Sequence, residues 1–488
     1  MTKTSKQLLY ILAAILLARL FSMYILPLTD TTEARYAEMA RIMAETNDWI
    51  TPYVNYNVPF WGKPPLSFWL QAISIDMFGV NEFAARFPSW LMHLAVVGLI
   101  FKLLLTVANK YTAIWGMLIY TSIALVYTLS GTVLTDPFLT LGSTLSFVSF
   151  IIVLKEKERY WGYLFFVGLS IGLLSKGPLI LVLTGGTIGL WLLFSTKRWR
   201  VFKLYPWVSG IILMLVLTLP WYIMAELKTP GFLNYYIIGE HFYRFIDPGW
   251  TGDKYGIAHK RDHGTIWIYW IAASLPWGLI ALSTLLKKMF MPKPFKKLGE
   301  ELTKEDISFY VIWAIFPMLF FTFAGNILWT YVLPALPALA ILLALYINRE
   351  EKPLTQKYRA LLISTVLFVP LIATIGVTYV SKDDNALPTE KFLIKEYFNV
   401  SNGKNPIYYI SNKSLSMRFY SKGKAEEIKV DKLKDLFINN NGSFYLACSD
   451  NVLSTTDMFN NTKEELYKNK RFTLVKITSK NNLDNKGE

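Results

Sequence analysis

Eleven long apolar runs constrain the fold of this chain more strongly than any other feature of its sequence. An apolar helix of about 20 residues is long enough to cross a lipid bilayer. Hydrophobic residues make up 53% of the 488 residues and charged residues only 17%, so the chain lacks the polar surface of a soluble domain. We therefore predict an all-α polytopic membrane domain with about 11–13 spanning helices. The apolar runs lie at residues 8–28, 84–106, 111–129, 134–154, 160–175, 178–195, 206–226, 266–286, 306–324, 328–347 and 358–380.

The loops between these runs carry the positive charge that orients the chain. The first run follows Lys3 and Lys6 and ends without a small-residue cleavage pattern, so we interpret it as an uncleaved span that starts inside. Alternating the crossings from that start places four basic loops inside, as the positive-inside rule requires. The net charge of +15 therefore reflects membrane orientation, and no nucleic-acid partner is expected. These basic loops are residues 155–159, 196–203, 287–297 and 348–359.

The same alternation places two long loops and the C-terminal tail on the outer side. The loops are residues 28–83 and 227–265. Past residue 380, the short β-rich runs NPIYYISN, SFYLACSD and RFTLVKIT are separated by Asn, Lys and Gly, with a helical stretch near 431–438. We predict a transmembrane domain over residues 1–380, which includes both long loops, and a small extracytoplasmic α/β domain over residues 381–488.

Charged residues near the helix ends converge on the outer side. An ion inside the bilayer costs roughly 2.5–3.5 kcal/mol on insertion scales, and random placement would divide such ions between both faces. Their convergence on one face predicts a functional site there. They are Asp30, Glu33 and Arg35 after the first run, Lys63 in the first long loop, Asp136 and Lys176 at helix ends, and Glu240, His241, Arg244, His259 and His263 in the second long loop.

Each of these residues also has a purely structural interpretation. Asp30, with a glutamate three residues later, matches a helix cap before an amphipathic helix over residues 33–45. Lys63 lies in an aromatic stretch that is typical of an interfacial anchor. Asp136 precedes a proline and matches a second helix cap, and His241 is a loop histidine. The functional interpretation therefore depends on the residues acting together.

Taken together, the motifs resemble a known family. In chain order they are DTTEARYAEMAR, FWGKPPLSFW, FGVNEFAARFPS, LTDPFLTL, LSKGP, EHFYRF and WTYVLPALPAL. This order, over roughly residues 20 to 345, resembles the lipid-dependent glycosyltransferases of the GT-C class. The most similar branch includes aminoarabinose transferases acting on lipid A and relatives of the dolichyl-phosphate-mannose protein mannosyltransferases.

The resemblance implies a membrane enzyme that moves a sugar from a polyprenyl-phosphate donor to an acceptor on the outer face of the membrane. Lipid A or a related envelope glycolipid is the expected acceptor, and a protein, as for the mannosyltransferases, is the alternative. The expected location is the bacterial inner membrane, with the active site and the C-terminal domain on the periplasmic side. The expected partners are the polyprenyl-phosphate sugar, lipid A or a glycoprotein acceptor, and membrane lipids.

The family motifs also imply roles for individual residues. Asp30, Glu33, Arg35 and Tyr36 fall in the first acidic motif, Lys63 in the donor-phosphate motif, Asp136 in the second acidic position, and Tyr331 in the late aromatic-proline motif. Two positions depart from the family pattern. Thr32 stands where an acidic residue often precedes Glu33, and Gly62 stands where a glutamate often precedes Lys63. If that glutamate helps to bind a metal ion or the donor sugar, this chain must do without it.

The residue types fit glycosyl transfer from a lipid phosphate. Fixed cations stabilise the departing phosphate, and Lys63, Arg35 and Arg244 are the candidates. An acceptor hydroxyl needs a carboxylate base, which we assign to Asp30 with Asp136 as helper and Glu33 as a further catalytic candidate. If the acceptor is itself a phosphate, Asp30 orients groups or balances charge. The candidate substrate-binding residues are Tyr36, Glu240, His241 and Tyr331.

Other chemistries find less support in the sequence. The chain contains no GxxxxGK[ST] or HExxH motif, and the single cysteine, Cys448, excludes an intrachain disulfide. A divalent metal ion bound by a carboxylate with His241 or His263 is a candidate cofactor. A polyprenyl-lipid transporter or flippase is the alternative of another class. Transporters place ions near the bilayer midplane and often contain repeated halves, whereas no repeat is evident here.

Overall fold

A computed structural model describes residues 3–256, 259–290, 303–348, 354–411, 414–439, 442–454 and 463–478. The chain divides into two compact units. The helical unit comprises Met1–Met23, Asp48–Leu70 and Arg86–Thr374. The mixed unit comprises Tyr24–Asn47, Gln71–Ala85 and Ile375–Glu488.

Helices dominate the described residues. The α-helices are α1 Lys3–Ile25, α2 Thr32–Thr46, α3 Leu66–Phe78, α4 Glu82–Val107, α5 Lys110–Ser122, α6 Ala124–Leu129, α7 Asp136–Glu156, α8 Arg159–Lys176, α9 Leu179–Phe194, α10 Arg198–Leu204, α11 Trp207–Lys228, α12 Arg244–Ile246, α13 Thr265–Ala273, α14 Trp277–Phe290, α15 Lys304–Phe321, α16 Leu336–Ile347, α17 Gln356–Val380, α18 Lys391–Ser401, α19 Leu415–Tyr420, α20 Leu433–Asn439 and α21 Asp450–Ser454. A π-helix covers Asn234–Tyr243, and 3₁₀ helices cover Trp329–Ala335 and Val430–Lys432. The strands are β1 Tyr53–Asn55, β2 Val58–Pro59, β3 Ile407–Tyr409, β4 Ala425–Glu427, β5 Ser443–Cys448, β6 Lys463–Lys468 and β7 Thr473–Thr478.

Each of the eleven predicted apolar runs is helical, and the predicted fold class is confirmed. By length and composition, six described helices are able to cross a membrane, or seven if the pair α13 and α14, bent by 113°, forms one span. The predicted total of about 11–13 is higher because it also counts α5 with α6, α8, α9 and α15, which are shorter, broken or carry ions at their ends. The six helices are Lys3–Ile25, Glu82–Val107, Asp136–Glu156, Trp207–Lys228, Trp329–Ile347 and Gln356–Val380. The chain is a multi-pass membrane protein.

The centre of the helical unit is α7, which is buried along almost its whole length. It packs against α8 through glycines, since a Cβ added to Gly142 would lie 2.6 Å from the Gly168 carbonyl oxygen. Small residues permit this close approach of membrane helices. The Ser146 hydroxyl also donates to the Phe165 carbonyl, 3.1 Å away, across the same contact. This packing places the first residue of α7, Asp136, against the last residue of α8, Lys176.

The mixed unit contains a five-stranded sheet with the order β4-β3-β5-β7-β6. Strand β3 pairs in parallel with β4 and β5, whereas β7 pairs antiparallel with β5 and β6. The β-rich runs predicted after residue 380 correspond to β3, β5 and β7, and the predicted helix near 431–438 corresponds to α20. The unit also includes α2, so it is larger than residues 381–488. The predicted domain boundary at residue 380 stays a prediction.

The two helix-capping interpretations are wrong. The amphipathic helix α2 begins at Thr32 with Thr31 at its cap position, and the Thr31 side chain makes no capping hydrogen bond. The Asp30 carboxylate instead accepts hydrogen bonds from distant residues of the mixed unit. Helix α7 starts at Asp136 itself, and the Asp136 side chain binds Lys176. Both carboxylates therefore serve a purpose other than capping.

Candidate functional site

A buried glutamate holds two of the predicted donor-phosphate cations in the helical unit. The side chain of Glu240 is only 4% exposed. Its Oε2 lies 3.4 Å from Nζ of Lys63 and 3.0 Å from Nη1 of Arg244. Nη1 of Arg244 also lies 3.2 Å from Oδ2 of Asp253. The side chains of Lys63 and Arg244 are 23% and 18% exposed, respectively. The charges of this cluster that reach solvent are therefore positive.

Local structure explains why these side chains meet. Glu240 lies on the π-helix, and Arg244 follows it by four residues, which places both on one helical face. π-helical segments are rare and occur often at functional sites. Lys63 comes from the first long loop, where its Nζ also donates to the Gly62 carbonyl, 2.6 Å away. The two long loops of the sequence therefore supply one cluster.

Aromatic residues form a second layer around this cluster. The Tyr235 hydroxyl donates to Oε1 of Glu240 at 3.1 Å and accepts from the Lys254 backbone N–H at 3.1 Å. The Lys254 ammonium lies 4.1 Å from the ring centroid of Trp61, a cation–π contact. Tyr255 packs edge-on against Tyr235, with ring centroids 5.9 Å apart. These rings hold the charged groups in place and limit their contact with solvent.

The electrostatics of the cluster favour an ionised Glu240. Burial opposes ionisation, but the charges of Lys63 and Arg244 and the Tyr235 hydroxyl outweigh it, so the pKa of Glu240 lies below its usual value. Burial lowers the pKa of His241, although hydrogen bonds to two carbonyls act in the opposite direction. Glu240 is therefore an anion that orients cations, and it is a poor proton donor.

A second ion pair joins the start of α7 to the end of α8. Nζ of Lys176 lies 2.8 Å from Oδ1 of Asp136, and both side chains are nine-tenths buried. The same ammonium lies 5.0 Å from the ring centroid of Tyr331. The Tyr331 hydroxyl lies within electrostatic reach of Asp136, Lys63, Glu240 and Arg244. Tyr331 therefore connects the two ion clusters of the helical unit.

His241 is oriented by backbone carbonyls. Its Nδ1 lies 2.8 Å from the Tyr236 carbonyl oxygen, and its Nε2 lies 3.0 Å from that of Lys176. This geometry does not fit the predicted metal-ligand role, because both ring nitrogens already lie at hydrogen-bonding distance from backbone carbonyl oxygens. Nδ1 of His263 likewise faces the Thr322 carbonyl at 3.2 Å. Across the described ranges, no group of three or more His, Cys, Asp or Glu side chains has the geometry to hold a metal ion.

The first acidic motif lies in the mixed unit. Oδ1 of Asp30 accepts from the Ser416 backbone N–H at 2.8 Å, and its Oδ2 accepts from the Ser416 hydroxyl at 2.8 Å and from Nη1 of Arg471 at 2.9 Å. Oε2 of Glu33 accepts from the Thr29 backbone N–H at 3.4 Å. The site residues predicted from this motif thus have partners within their own unit.

Arg35 and Tyr36 complete the first acidic motif. The Arg35 guanidinium lies 5.4 Å from the ring centroid of Tyr36, and the tyrosine is buried. The predicted phosphate-binding role of Arg35 and the predicted substrate-binding role of Tyr36 stay predictions.

Several partners of the site were missed from the sequence. Asp253, Tyr235 and Lys254 belong to the second long loop, but no spacing in the sequence marks them as neighbours of Glu240. Arg471 and Ser416 lie hundreds of residues from Asp30 along the chain. The spacing of four residues between Glu240 and Arg244 is a local signal that could have identified them as a pair.

Comparison with known proteins supports a specific class for this fold. Residues 9–236 match the sequence model of the dolichyl-phosphate-mannose-protein mannosyltransferase family. The structure resembles that of ArnT from Cupriavidus metallidurans, with a TM-score of 0.75 at 17% identity, over 97% of this chain and 98% of that one. It also resembles an oligosaccharyltransferase from Archaeoglobus fulgidus, with a TM-score of 0.51 at 13% identity, over 86% of this chain and 64% of that one. The fold is therefore that of the GT-C membrane proteins.

Sequence comparison finds aminoarabinose transferases among the relatives of this chain. The undecaprenyl phosphate-alpha-4-amino-4-deoxy-L-arabinose arabinosyl transferase of Yersinia pestis is 30% identical over 347 residues, which are 68% of this chain and 59% of that protein. The corresponding protein of Serratia proteamaculans is 30% identical over 348 residues, with the same coverage. The chain spans about three fifths of the length of these relatives. In sequence it is similar to the aminoarabinose transferases and, over residues 9–236, to the protein mannosyltransferases.

Proposed function

We propose that this protein is an integral membrane glycosyltransferase that takes a sugar from a polyprenyl-phosphate donor and transfers it to an acceptor at the outer face of the membrane. The observation that carries the proposal is the pair of partly exposed cations, Lys63 and Arg244, held by the buried carboxylate of Glu240. Fixed cations in a partly dry site stabilise charge that builds up on a leaving phosphate. The similarity to transferases that use undecaprenyl phosphate supports the same chemistry.

The proposed reaction breaks the bond between the anomeric carbon and the phosphate oxygen, and forms a bond from that carbon to the acceptor oxygen. The guanidinium of Arg244 offers a planar fork for phosphate oxygens, whereas Lys63 supplies a point charge. Arg35 is the third cation that we assign to the phosphate. The departing polyprenyl phosphate carries away the electron pair of the broken bond.

If the acceptor is a hydroxyl, its proton passes to a carboxylate. We propose Asp30 and Asp136 for this role, with Glu33 as the further candidate. Lys176 occupies only Oδ1 of Asp136, whereas both oxygens of Asp30 accept hydrogen bonds. This difference supports Asp136 as the more accessible base. If the acceptor is a phosphate, no proton is transferred, and the carboxylates orient the reactants.

We propose lipid A or a related envelope glycolipid as the acceptor, because the similar transferases are named for aminoarabinose transfer from undecaprenyl phosphate. Protein O-glycosylation is the second candidate, supported by the match of residues 9–236 to the protein mannosyltransferase family. Tyr36, Glu240, His241 and Tyr331 are the residues that we propose to contact the substrates.

Mass spectrometry of the cell envelope tests the acceptor. The chain is expressed in a bacterium that lacks its own aminoarabinose transferase, beside a Lys63→Ala variant as the matched inactive control. We expect the mass of an amino sugar to appear on lipid A with the parent protein and to be absent with the variant. New glycans on envelope proteins instead would select the second candidate. Unmodified lipid A and unmodified proteins would contradict transfer and favour a transporter or flippase.

We further propose that the protein lies in the bacterial inner membrane, with the site and residues 381–488 on the periplasmic side. The basic loops support this orientation through the positive-inside rule, although the loops at 287–297 and 348–359 lie partly outside the described residues. A phosphatase reporter fused after residue 400 should be active in the periplasm, and one fused after Lys157 should be silent. The reverse pattern would contradict the orientation.

A further inference from the structure

The sheet of the mixed unit contains a point where the order of its strands reverses. The chain runs from β3 to β4 on one side of β3, and then to β5 on the other side, with parallel pairing in both cases. In open parallel sheets such a reversal leaves a crevice outside the carboxyl ends of the two central strands, where ligands bind. The topology therefore predicts a ligand-binding site at the carboxyl ends of β3 and β5.

A pocket of about 480 Å³ opens at this place. Ile410 and Ser411 come directly after β3, and Ser449 comes directly after β5. Arg471 and Phe472 precede β7, which runs antiparallel to β5 and so begins at the same edge. Ligand pockets in proteins commonly measure about 300–1,000 Å³, so the volume of this pocket is sufficient for one small ligand.

One wall of the pocket presents an acceptor and a donor side by side. The carboxylate of Asp30 is held by Ser416 and by Nη1 of Arg471, at 2.9 Å. Nε of Arg471 lies 3.4 Å from Oε1 of Glu390. These contacts use two of the three guanidinium nitrogens, and the arginine side chain is 27% exposed. The carboxylates of Asp30 and Glu390 together offset the charge of Arg471, so this wall offers hydrogen bonds without a net positive charge.

The remaining lining combines hydroxyls with apolar surface. Ser411 and Ser449 supply hydroxyl groups, and Ile410, Pro388 and Phe472 supply apolar surface. A sugar ring matches this combination, since its hydroxyls both donate and accept while its C–H faces are apolar. Because the Asp30 side chain is only 3% exposed and its oxygens already accept hydrogen bonds, the ring hydroxyls would bond to Arg471 and to the two serine hydroxyls. A phosphate would gain little from an arginine whose charge Asp30 and Glu390 already offset.

We propose that this pocket of the mixed unit binds a single uncharged, polyhydroxylated sugar ring. The proposal goes beyond the transferase function, because it assigns carbohydrate binding to the mixed unit and holds whether the base is Asp30 or Asp136. A sugar of an envelope glycolipid and a free monosaccharide share this chemistry. The two sources are separated by comparing a lipid-linked glycoside with a soluble one.

Saturation-transfer NMR on the detergent-purified full-length protein tests the proposal. The probes are methyl β-glucoside, octyl β-glucoside below its critical micelle concentration, and inorganic phosphate. We expect saturable binding of methyl β-glucoside, and tighter binding of octyl β-glucoside only if the natural source is a lipid. Binding of phosphate without either glycoside, or no binding of any probe, would overturn the proposal.

Variants locate the binding. Ser449→Trp fills the pocket and leaves the Asp30–Arg471 pair intact, and we expect it to weaken glycoside binding at least tenfold. Ser454→Trp is the matched control, because Ser454 is exposed and does not line the pocket, and it should bind like the parent. If Ser449→Trp does not fold, as judged by its melting curve, Ser411→Trp takes its place. Equal binding by the pocket variant and Ser454→Trp would contradict the site.

Discussion

At the scale of single residues, carboxylates in this protein act by holding cations. Glu240 fixes Lys63 and Arg244, Asp136 fixes Lys176, and Asp30 fixes Arg471. Removing one partner of a buried ion pair commonly costs several kcal/mol, because the other charge is left uncompensated. Each carboxylate therefore needs a test that separates a structural role from a catalytic one.

Asp30 provides such a test. We expect Asp30→Asn to lower the melting temperature, because Arg471 loses its closest anion. Arg471→Gln should also destabilise the protein, and the double variant should lose less than the sum of the two, with a coupling energy of about 1–3 kcal/mol. Thermal unfolding of the three variants measures this coupling. Additive losses would contradict the ion pair.

The catalytic role of Asp30 is tested in the same variant. If Asp30 is the base, sugar transfer by the folded fraction of Asp30→Asn should fall by about 100-fold or more, the usual scale for a lost general base. If transfer instead tracks the folded fraction, Asp30 is an anchor, and the base must be sought at Asp136, Glu33 or Glu240, unless the acceptor is a phosphate that needs none.

At the scale of elements, the π-helix positions the site of the helical unit. It carries Glu240 and His241, and the turn after α8 packs against it. Gly177 in that turn has φ +66°, and a Cβ added there would lie 2.3 Å from the Tyr236 hydroxyl oxygen. The turn therefore depends on a residue without a side chain, both for its backbone conformation and for its contact with the π-helix.

A substitution at Gly177 should disturb the Glu240 cluster indirectly, through the contact between the turn and the π-helix. We expect Gly177→Ala to destabilise the protein by roughly 1–3 kcal/mol, since a strained backbone and a displaced Tyr236 add together. It should also reduce sugar transfer, because the π-helix carries Glu240. Gly185→Ala in α9 is the control, since nothing lies within 4 Å of the added Cβ. Melting temperature and transfer rate are measured for both, and equal values for the two variants would contradict the role of the turn.

At the scale of the whole molecule, the sequence predicted the local features and missed the distant ones. Apolar runs, basic loops and the amphipathic helix α2 are patterns within 10 to 25 neighbouring residues, so the sequence displays them directly. The contacts of Asp30 with Ser416 and Arg471 join residues 386 and 441 positions apart, and no local pattern encodes such a pair. Strands β4 and β6 were missed because their sequences, AEE and KEELYK, are polar.

The membrane topology is the remaining feature of the whole molecule that sequence predicts incompletely. Helices such as α9 and α15 are apolar but short or flanked by ions, so length and composition alone do not decide whether they cross. The bent pair α13 and α14 presents the same difficulty, since a sequence run of 21 residues at 266–286 does not reveal a bend of 113°.

The central claim is that Lys63 and Arg244 hold the phosphate of a lipid-linked sugar. The most direct measurement is the rate of sugar transfer from a polyprenyl-phosphate donor to lipid A by purified Lys63→Ala, Lys63→Arg and parent protein. Lys228→Ala serves as the control, because Lys228 pairs with Asp48 away from Glu240. We expect Lys63→Ala to lose about 10²–10³-fold in rate, as for other lost transition-state donors, Lys63→Arg to retain part of the rate, and Lys228→Ala to match the parent. A Lys63→Ala protein that transfers sugar at the parent rate would contradict the account.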